Sequence, residues 1–270
     1  MPLAMSQVWL VLGPPGCGKT SWIRDQLVRH PGPCAYWRLQ GPSFENLEQG
    51  LDGGIDGAWL NDQIPELQIP AGQPSDRLMD DRLLRDQKLL MVVEVQHFQA
   101  AISTCAEDIH PQISKQLANL HLKPGRIVNF GVDSYLPNQD TLNFTTLEAL
   151  DIDLQDSIWD PNSLSSFWFE LVNGAYGDVY RAKALVNLPD GRCFFCNWIV
   201  SQQGSQFLPL ERIEPPHGRP KRLSRLVVQG KALNPTGIRS TIEECLFSDE
   251  VLELHQAPLR ETNNNLQPSR

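Results

Sequence analysis

The stretch VWLVLGPPGCGKTSW, residues 8–22, decides the fold of the N-terminal half of this chain. Its central part, residues 13–20, fits the phosphate-binding pattern G-x-x-x-x-G-K-[ST] at every position. Five apolar residues, 8–12, precede it and predict a strand buried on both faces, as in a parallel sheet. Residues 21–29 predict a helix that ends before a Pro-Gly pair. A strand, a glycine loop and a helix in this order predict a nucleoside triphosphate site rather than a chance glycine-rich turn.

Each residue type in this loop has a physical role in holding phosphate. Glycines let backbone N–H groups close around the phosphate oxygens, and the helix N-terminus adds its positive dipole end. We expect Lys19 to reach the β- and γ-phosphates and the Thr20 hydroxyl to be a ligand of Mg²⁺. The predicted nucleotide contacts in this loop are Gly13, Gly16, Cys17, Gly18, Lys19, Thr20 and Ser21.

The composition restricts the class of protein. A length of 270 residues allows one large domain or two ordinary ones, and 41% hydrophobic with 20% charged residues is typical of a soluble globular chain. A net charge of −9 argues against nucleic acid as the main partner, because that binding depends on neutralising phosphates with Lys and Arg. No apolar run is long enough to cross a membrane. The nucleotide site predicts a cytoplasmic location, in which the six cysteines stay reduced.

A second predicted strand ends in a carboxylate. Five apolar residues, 89–93, precede Glu94, an arrangement like the Walker B strand. Such strands end near the phosphates, where an acid holds Mg²⁺ through water or orients the attacking water. We therefore predict Lys19 and Glu94 as catalytic residues and Thr20 and Glu94 as the Mg²⁺ site. The alternative is an ordinary acid where a strand emerges into solvent.

Residues 41–74 are rich in glycine and proline and include Asp52 and Asp56. A loop of this length inside a compact domain is usually functional, and here it is either a nucleotide-sensing switch segment or a surface excursion without nucleotide contact. A short helix is predicted near residues 58–64, and further helices at 76–87 and within 100–122, with a break at Pro111.

A possible base-reading pair lies at the end of another predicted strand, residues 126–133. P-loop GTPases carry the guanine-reading sequence Asn-Lys-x-Asp at this place. This chain has Asn129 and Asp133 in Asn-x-x-x-Asp spacing, with no lysine after the asparagine. Asn129 and Asp133 are candidate nucleotide contacts, and the alternative is a strand end closed by an Asx turn.

The C-terminal half has a different character. Strands are predicted at residues 167–172, 178–188, 192–200, 206–210 and 222–228. A helix capped by Asn234 is expected near residues 237–246. The predicted fold class is an α/β P-loop domain with a mainly parallel sheet, residues 1–160, followed by a smaller α+β domain, residues 161–255, and a disordered tail, residues 256–270.

Two features of this half invite a sharper interpretation. Cys193 and Cys196 have C-x-x-C spacing, but positions three apart on a strand point to opposite faces, so the two sulfurs would not converge on one ion. A basic cluster, Arg212, His217, Arg219, Lys221, Arg222 and Arg225, is predicted to be a solvated loop.

The chain resembles the CobW group of P-loop GTPases, relatives of the HypB and UreG metal-insertion factors. The phosphate loop contributes to this resemblance, and two C-terminal segments are more telling. YGDVYRAKA, residues 176–184, resembles the family pattern G-x-v-x-R-x-K-G, and RLSRLVVQGKAL, residues 222–233, resembles R-x-x-x-l-v-f-I-G-r-x-l. The family's C-x-C-C and a standard Asn-Lys-x-Asp are absent.

The resemblance implies hydrolysis of GTP with Mg²⁺, coupled to delivery of a metal or metal cofactor, a protein partner, and a homodimer. Two other functions stay open from the residues alone. One is a nucleotide-binding regulatory or scaffold protein with little turnover. The other is a small-molecule kinase or AAA-type ATPase that uses ATP, because Gly-Pro-Pro-Gly-x-Gly-Lys-Thr also opens those proteins.

Overall fold

A computed structural model of the chain describes residues 7–39, 53–69, 88–96, 109–130, 148–202 and 204–265. The chain divides into two compact units, Met1–Thr146 and Leu147–Arg270. The sequence predicted this boundary at residue 160. The structure places it earlier because a strand at residues 148–153 pairs within the second sheet.

The first unit is built on a parallel sheet. Its strands are β1 (Gln7–Gly13), β2 (Cys34–Leu39), β3 (Leu90–Gln96) and β4 (Arg126–Asn129). They lie in the order β2-β3-β1-β4, and each neighbouring pair is parallel. Every residue of β3 is buried, as expected for a central strand covered on both faces. The predicted parallel sheet is confirmed.

Three helices are described in this unit: α1 (Lys19–Arg29), α2 (Gly54–Gln63) and α3 (Pro111–Asn119). The apolar face of α1 is buried through Ile23 and Leu27, which lie one turn apart as predicted. α3 begins at Pro111, where the sequence predicted a break, because the fixed φ and missing N–H of proline suit the first helical position; the preceding residues 100–108 lie outside the described residues. The helix predicted at residues 76–87 lies outside the described residues.

The second unit contains an antiparallel sheet in the order β5-β9-β6-β7-β8. Its strands are β5 (Glu148–Asp153), β6 (Asp178–Asn187), β7 (Cys193–Ile199), β8 (Gln206–Pro209) and β9 (Arg225–Lys231). Its helices are α4 (Pro161–Val172), α5 (Pro235–Cys245) and α6 (Asp249–Asn265). The predicted α+β class of this half is confirmed, as is the Asn234 cap, whose side chain accepts from the Gly237 N–H at 2.9 Å.

The first strand predicted for this half, residues 167–172, was wrong: these residues belong to α4. Asp160 caps the helix by accepting from the Ser163 N–H at 2.8 Å, and Pro161 takes the first helical position. Its buried residues Leu164, Phe167, Trp168 and Leu171 recur at helical spacing. A short apolar run does not distinguish a buried strand from a buried helix by itself.

The tail predicted as disordered from residue 256 is helical as far as residue 265, within α6. Gln256 is buried in that helix and holds a loop of the same unit. Its amide accepts from the Gly218 N–H at 2.7 Å and donates to the Pro189 carbonyl at 3.1 Å. These contacts, rather than apolar content, order the polar tail.

Two arginines of the basic cluster differ from the predicted solvated loop, whereas Arg212, His217 and Lys221 are exposed as predicted. Arg219 donates to the Asp249 carboxylate at 2.7 Å and to the carbonyls of Asp156 at 2.9 Å and Phe247 at 2.8 Å. Arg222 donates to the side-chain oxygen of Asn187 at the end of β6 and to the carbonyls of Arg212 and Gly191. Both guanidinium groups therefore connect separate segments of the chain by hydrogen bonds. Arginine suits this role because its planar side chain carries several N–H donors.

Candidate nucleotide site

The phosphate loop joins β1 to α1, and its glycines hold backbone conformations that other residues rarely adopt. Gly16 has φ 80° and Gly18 has φ 89°, both left-handed. At Gly13 a side chain would lie 2.6 Å from the Cβ of Phe130, closer than any real contact of this kind. The path of the loop therefore requires glycine at these three positions. The loop leads directly into the N-terminus of α1, whose free N–H groups suit an anion.

Lys19, the first residue of α1, is folded over its own loop. Its Nζ donates to the carbonyls of Gly13 at 2.9 Å and Pro14 at 2.8 Å, and lies 3.6 Å from the Cys17 sulfur. The side chain is only 3% exposed. The ammonium is thus held inside the loop, where a phosphate group would be enclosed.

Glu94 lies on β3 beside this lysine. The parallel pairing of β1 with β3 brings Glu94 into register with Val11, two residues before the loop begins. Glu94 Oε1 is 3.7 Å from Lys19 Nζ, and Oε2 accepts a hydrogen bond of 2.6 Å from the Tyr36 hydroxyl. Glu94 is buried, so its two oxygens have defined partners and little contact with water.

Asp56 is a site residue that the sequence did not single out. Thr20 Oγ1 donates to Asp56 Oδ1 at 3.0 Å, and the Arg38 guanidinium donates to Asp56 Oδ2 at 3.2 Å. Asp56 is 1% exposed and lies in the first turn of α2, which follows Gly53 in a left-handed conformation. The sequence feature that pointed to this region was the glycine-rich segment 41–74, predicted as a possible nucleotide-sensing switch. The hydrogen bond from Thr20 to Asp56 places the described part of that segment beside the phosphate loop.

The charges in this site are balanced within a buried network. The ammonium of Lys19 faces the Glu94 carboxylate, and the guanidinium of Arg38 faces the Asp56 carboxylate. Burial raises the pKa of Tyr36 well above its ordinary value of 10.0, and the charges of Glu94 and Asp56 raise it further, against a smaller opposing effect of Arg38. Tyr36 therefore keeps its proton at neutral pH and acts as a donor.

The other predicted contacts are placed less centrally. Ser21 is exposed on α1. Asn129 is buried at the end of β4, in register with Leu12 of β1, and Phe130 after it packs on Gly13. Asp133 lies outside the described residues. The structure thus brings Asn129 next to the strand that enters the phosphate loop.

The C-x-x-C cysteines of β7 are both completely buried. Burial raises the pKa of the Cys196 thiol, and the neighbouring Cys193 raises it further. The raised pKa disfavours the thiolate, which is the form that binds metals. Across the described ranges, no group of three or more His, Cys, Asp or Glu side chains is arranged to hold a metal ion. In the same ranges, no helix combines the length and apolar character needed to span a membrane.

No protein-family model and no curated protein matches the chain. Two solved structures are similar over 89% of this chain and 99% of theirs. One is Zn(II)-bound YjiA GTPase from E. coli, at 14% identity and a TM-score of 0.31. The other is a Zn(II)-bound triple mutant of YjiA GTPase, at 13% identity and a TM-score of 0.34. Because both TM-scores are below 0.5, neither likeness carries an argument about what this chain binds.

Proposed function

We propose that this chain binds a nucleoside triphosphate, GTP, together with Mg²⁺ in the phosphate loop and hydrolyses it. The observation that carries the proposal is the arrangement around Lys19 and Thr20. Lys19 lies within a glycine loop at a helix N-terminus, with Glu94 3.7 Å from its ammonium, and the adjacent Thr20 bonds a second buried carboxylate, Asp56, at 3.0 Å. A loop carrying cationic and backbone donors beside two buried acids suits phosphoryl chemistry, in which positioning and charge stabilisation do most of the work.

The loop supplies the binding energy for the phosphates. The backbone N–H groups of residues 16–19 and the positive end of α1 attract the β-phosphate. Lys19 has three N–H donors, two of which now go to carbonyls of its own loop. In the nucleotide complex we expect phosphate oxygens to become acceptors of this ammonium, which neutralises part of the phosphate charge.

The residues beside the loop fit a magnesium ion. Mg²⁺ prefers oxygen ligands and usually keeps several of its waters. Thr20 offers a hydroxyl oxygen, and Asp56 and Glu94 offer buried carboxylates within the same network. Thr20 would hold the ion directly, and the two acids would hold it through water. When bound, Mg²⁺ neutralises the charge that develops on the transferred phosphoryl group.

Glu94 is the proposed catalytic carboxylate of the site. Its Oε1 faces Lys19 and, through it, the place where the γ-phosphate would be enclosed. A carboxylate there can orient the attacking water by accepting its proton in a hydrogen bond. Lys19 is the proposed partner that stabilises the phosphate charge.

The choice of GTP and of a coupled switch rests on the sequence resemblance of residues 176–184 and 222–233 to the CobW group. The two segments that resemble the CobW group lie on β6 and β9, which are neighbours with Asp178 opposite Lys231 and Val179 opposite Gly230. Gly177 has no room for a side chain, because a Cβ there would lie 2.4 Å from the Ala232 carbonyl oxygen. Hydrolysis in such a protein would drive a conformational change that acts on a protein partner, with a homodimer and metal delivery as further expectations.

The test is titration calorimetry with GTP and ATP in the presence of Mg²⁺, combined with a phosphate-release assay. We expect tighter binding of GTP and hydrolysis that requires Mg²⁺. The variant Lys19→Ala should lose nucleotide binding and stay folded, with a lower unfolding temperature because Glu94 is left buried without its ammonium partner. Tight binding by this variant would refute the assignment of the site, and transfer of phosphate to a small acceptor would show a kinase instead.

Metal handling is tested in the same experiment with Zn²⁺ or Co²⁺ added. Metal bound only in the GTP complex would support delivery of a metal. Nucleotide binding with no response to either metal would limit the function to a switch.

A further inference from the structure

We propose that Tyr36 is a positioning residue for hydrolysis: its hydroxyl holds one oxygen of Glu94 so that the other oxygen faces Lys19. This inference rests on the proposed function and adds to it a residue that belongs to no recognised nucleotide-binding motif. Tyr36 itself touches neither phosphate nor metal in this role, and it acts through Glu94.

Each oxygen of the Glu94 carboxylate has its own partner. The Tyr36 hydroxyl donates to Glu94 Oε2 at 2.6 Å, a length typical of a hydrogen bond to a charged carboxylate. Glu94 Oε1 is the oxygen 3.7 Å from Lys19 Nζ. With Oε2 held, rotation of the carboxylate about its terminal bond is restricted, and Oε1 stays directed at the loop.

The register of the sheet explains why a tyrosine on β2 reaches an acid on β3. The two strands are parallel, with Tyr36 opposite Val92 and Arg38 opposite Glu94. Residues two apart on a strand share a face, so Tyr36, Arg38 and Glu94 lie on one face of the sheet. The tyrosine side chain is long enough to cross the diagonal to the residue two positions further along the neighbouring strand.

The same strand orients both acids of the site. Tyr36 donates to Glu94, and Arg38, two residues later, donates to Asp56. Tyr36 is completely buried, so its hydroxyl donates to Glu94 rather than to water. Phenylalanine at this position would keep the ring and lose only the hydroxyl.

The experiment compares Tyr36→Phe with wild-type protein under saturating GTP and Mg²⁺. We expect kcat to fall about tenfold, because small misplacement of a catalytic group has large kinetic effects, while KM and the nucleotide Kd change less than about twofold. The matched control is Tyr176→Phe, which removes a hydroxyl bonded to Glu170 at 2.8 Å and Thr241 at 2.9 Å in the other unit. Its kcat should equal that of wild type.

A double-mutant cycle separates positioning from a structural role. In a Glu94→Gln background we expect Tyr36→Phe to cause no further loss of kcat, because the group it positions is gone. An equal loss in both backgrounds, or an unchanged kcat in the single variant, would overturn the inference. Replacement of Tyr36 by 4-aminophenylalanine keeps a donor on the same ring and should restore most of the lost kcat. If the phenylalanine variant fails to fold, this replacement is compared with wild type directly: most of kcat should be kept, and a tenfold loss in the folded protein would overturn the inference.

The failures of this inference and of the proposed function are distinguishable. Wild-type protein that binds no nucleotide refutes the proposed function. Binding without turnover removes the hydrolytic step and the positioning role together, and it leaves nucleotide binding standing. Normal turnover in both wild type and Tyr36→Phe refutes the positioning role alone.

Discussion

Thr20 and Asp56 are 36 positions apart in the chain and are joined by a hydrogen bond of 3.0 Å from the threonine hydroxyl to Asp56 Oδ1. This bond connects the start of α1, where the phosphate loop ends, to the first turn of α2. Arg38 holds the other oxygen of Asp56. A ligand that binds the Thr20 hydroxyl is therefore one hydrogen bond away from α2, which gives nucleotide binding a direct route to that helix.

Asp56→Asn tests this relationship. The amide keeps the shape of the side chain and an acceptor for Thr20, but it removes the charge that attracts Mg²⁺. We expect the affinity for nucleotide to fall about tenfold with Mg²⁺ present, the cost of one charge-assisted contact, and to change little without Mg²⁺. Titration calorimetry with and without Mg²⁺ measures the difference. The control is Asp25→Asn, a half-exposed carboxylate on α1, and equal effects of the two variants would contradict the prediction.

Arg38→Met tests the stability of the buried ion pair. The substitution leaves Asp56, which is 1% exposed, without its guanidinium partner. Breaking a buried pair from one side costs about 3 kcal/mol, so we expect the unfolding temperature to fall by roughly 5–10 °C. Differential scanning calorimetry gives this value. Adding Asp56→Asn should recover part of the loss, and a double variant whose loss equals the sum of the single losses would show that the two side chains do not interact.

The raised pKa of Tyr36 predicts a loss of stability at high pH. The unfolded tyrosine loses its proton near its ordinary value of 10.0, whereas the folded one keeps it to higher pH. Below that value both states are protonated and the contribution of Tyr36 is fully present. Above it the unfolded state binds fewer protons, so the free energy of unfolding falls by up to about 1.4 kcal/mol per pH unit. Denaturant unfolding above about pH 10 should show a steeper fall in wild type than in Tyr36→Phe, and equal slopes would contradict the prediction.

Gly18→Ala tests the loop geometry. Gly18 is the N-cap of α1 and has φ 89°, a left-handed conformation that costs alanine about 1 kcal/mol. Alanine would therefore shift the backbone and redirect the neighbouring N–H groups. We expect the nucleotide affinity to fall about tenfold or more, because those N–H groups form the phosphate cradle. The control is Gly204→Ala, which has φ 78° with no atom within 4 Å of an added Cβ and lies in the second unit. It should bind nucleotide like wild type, and the same loss in both variants would indicate a general effect of strain.

Local patterns in the sequence were sufficient for several elements. The phosphate loop follows from its glycine spacing between an apolar run and an amphipathic helix, because left-handed φ values and helical periodicity act over a few residues. The apolar run of β3 before Glu94 and the Asn234 cap of α5 have the same kind of local origin, whereas the predicted end of that strand at Glu94 was wrong, because β3 continues to Gln96. The conformation of each of these elements is determined largely by residues within the element itself.

Residues 161–172 and the tail show the limit of such patterns. The run that includes Phe167 and Trp168 is apolar enough for either a strand or a helix, and the Asp160 cap together with packing in the core of the second unit decides for the helix. The polar tail gains order from hydrogen bonds of Gln256 to Gly218 and Pro189, which are distant in sequence. The sequence of the tail alone therefore does not indicate which residues Gln256 bonds.

The sequence by itself determined that the chain carries a phosphate loop on a parallel sheet, an acid on a neighbouring strand, and a second unit of antiparallel strands. Only the tertiary structure decided which side chains surround Lys19 and Thr20. Tyr36 meets Glu94 across 58 positions of chain, and Asp56 meets Thr20 and Arg38 across a loop. Those meetings depend on the register between β2 and β3 and on where α2 packs, and such long-range pairings arise only when the whole unit buries its core.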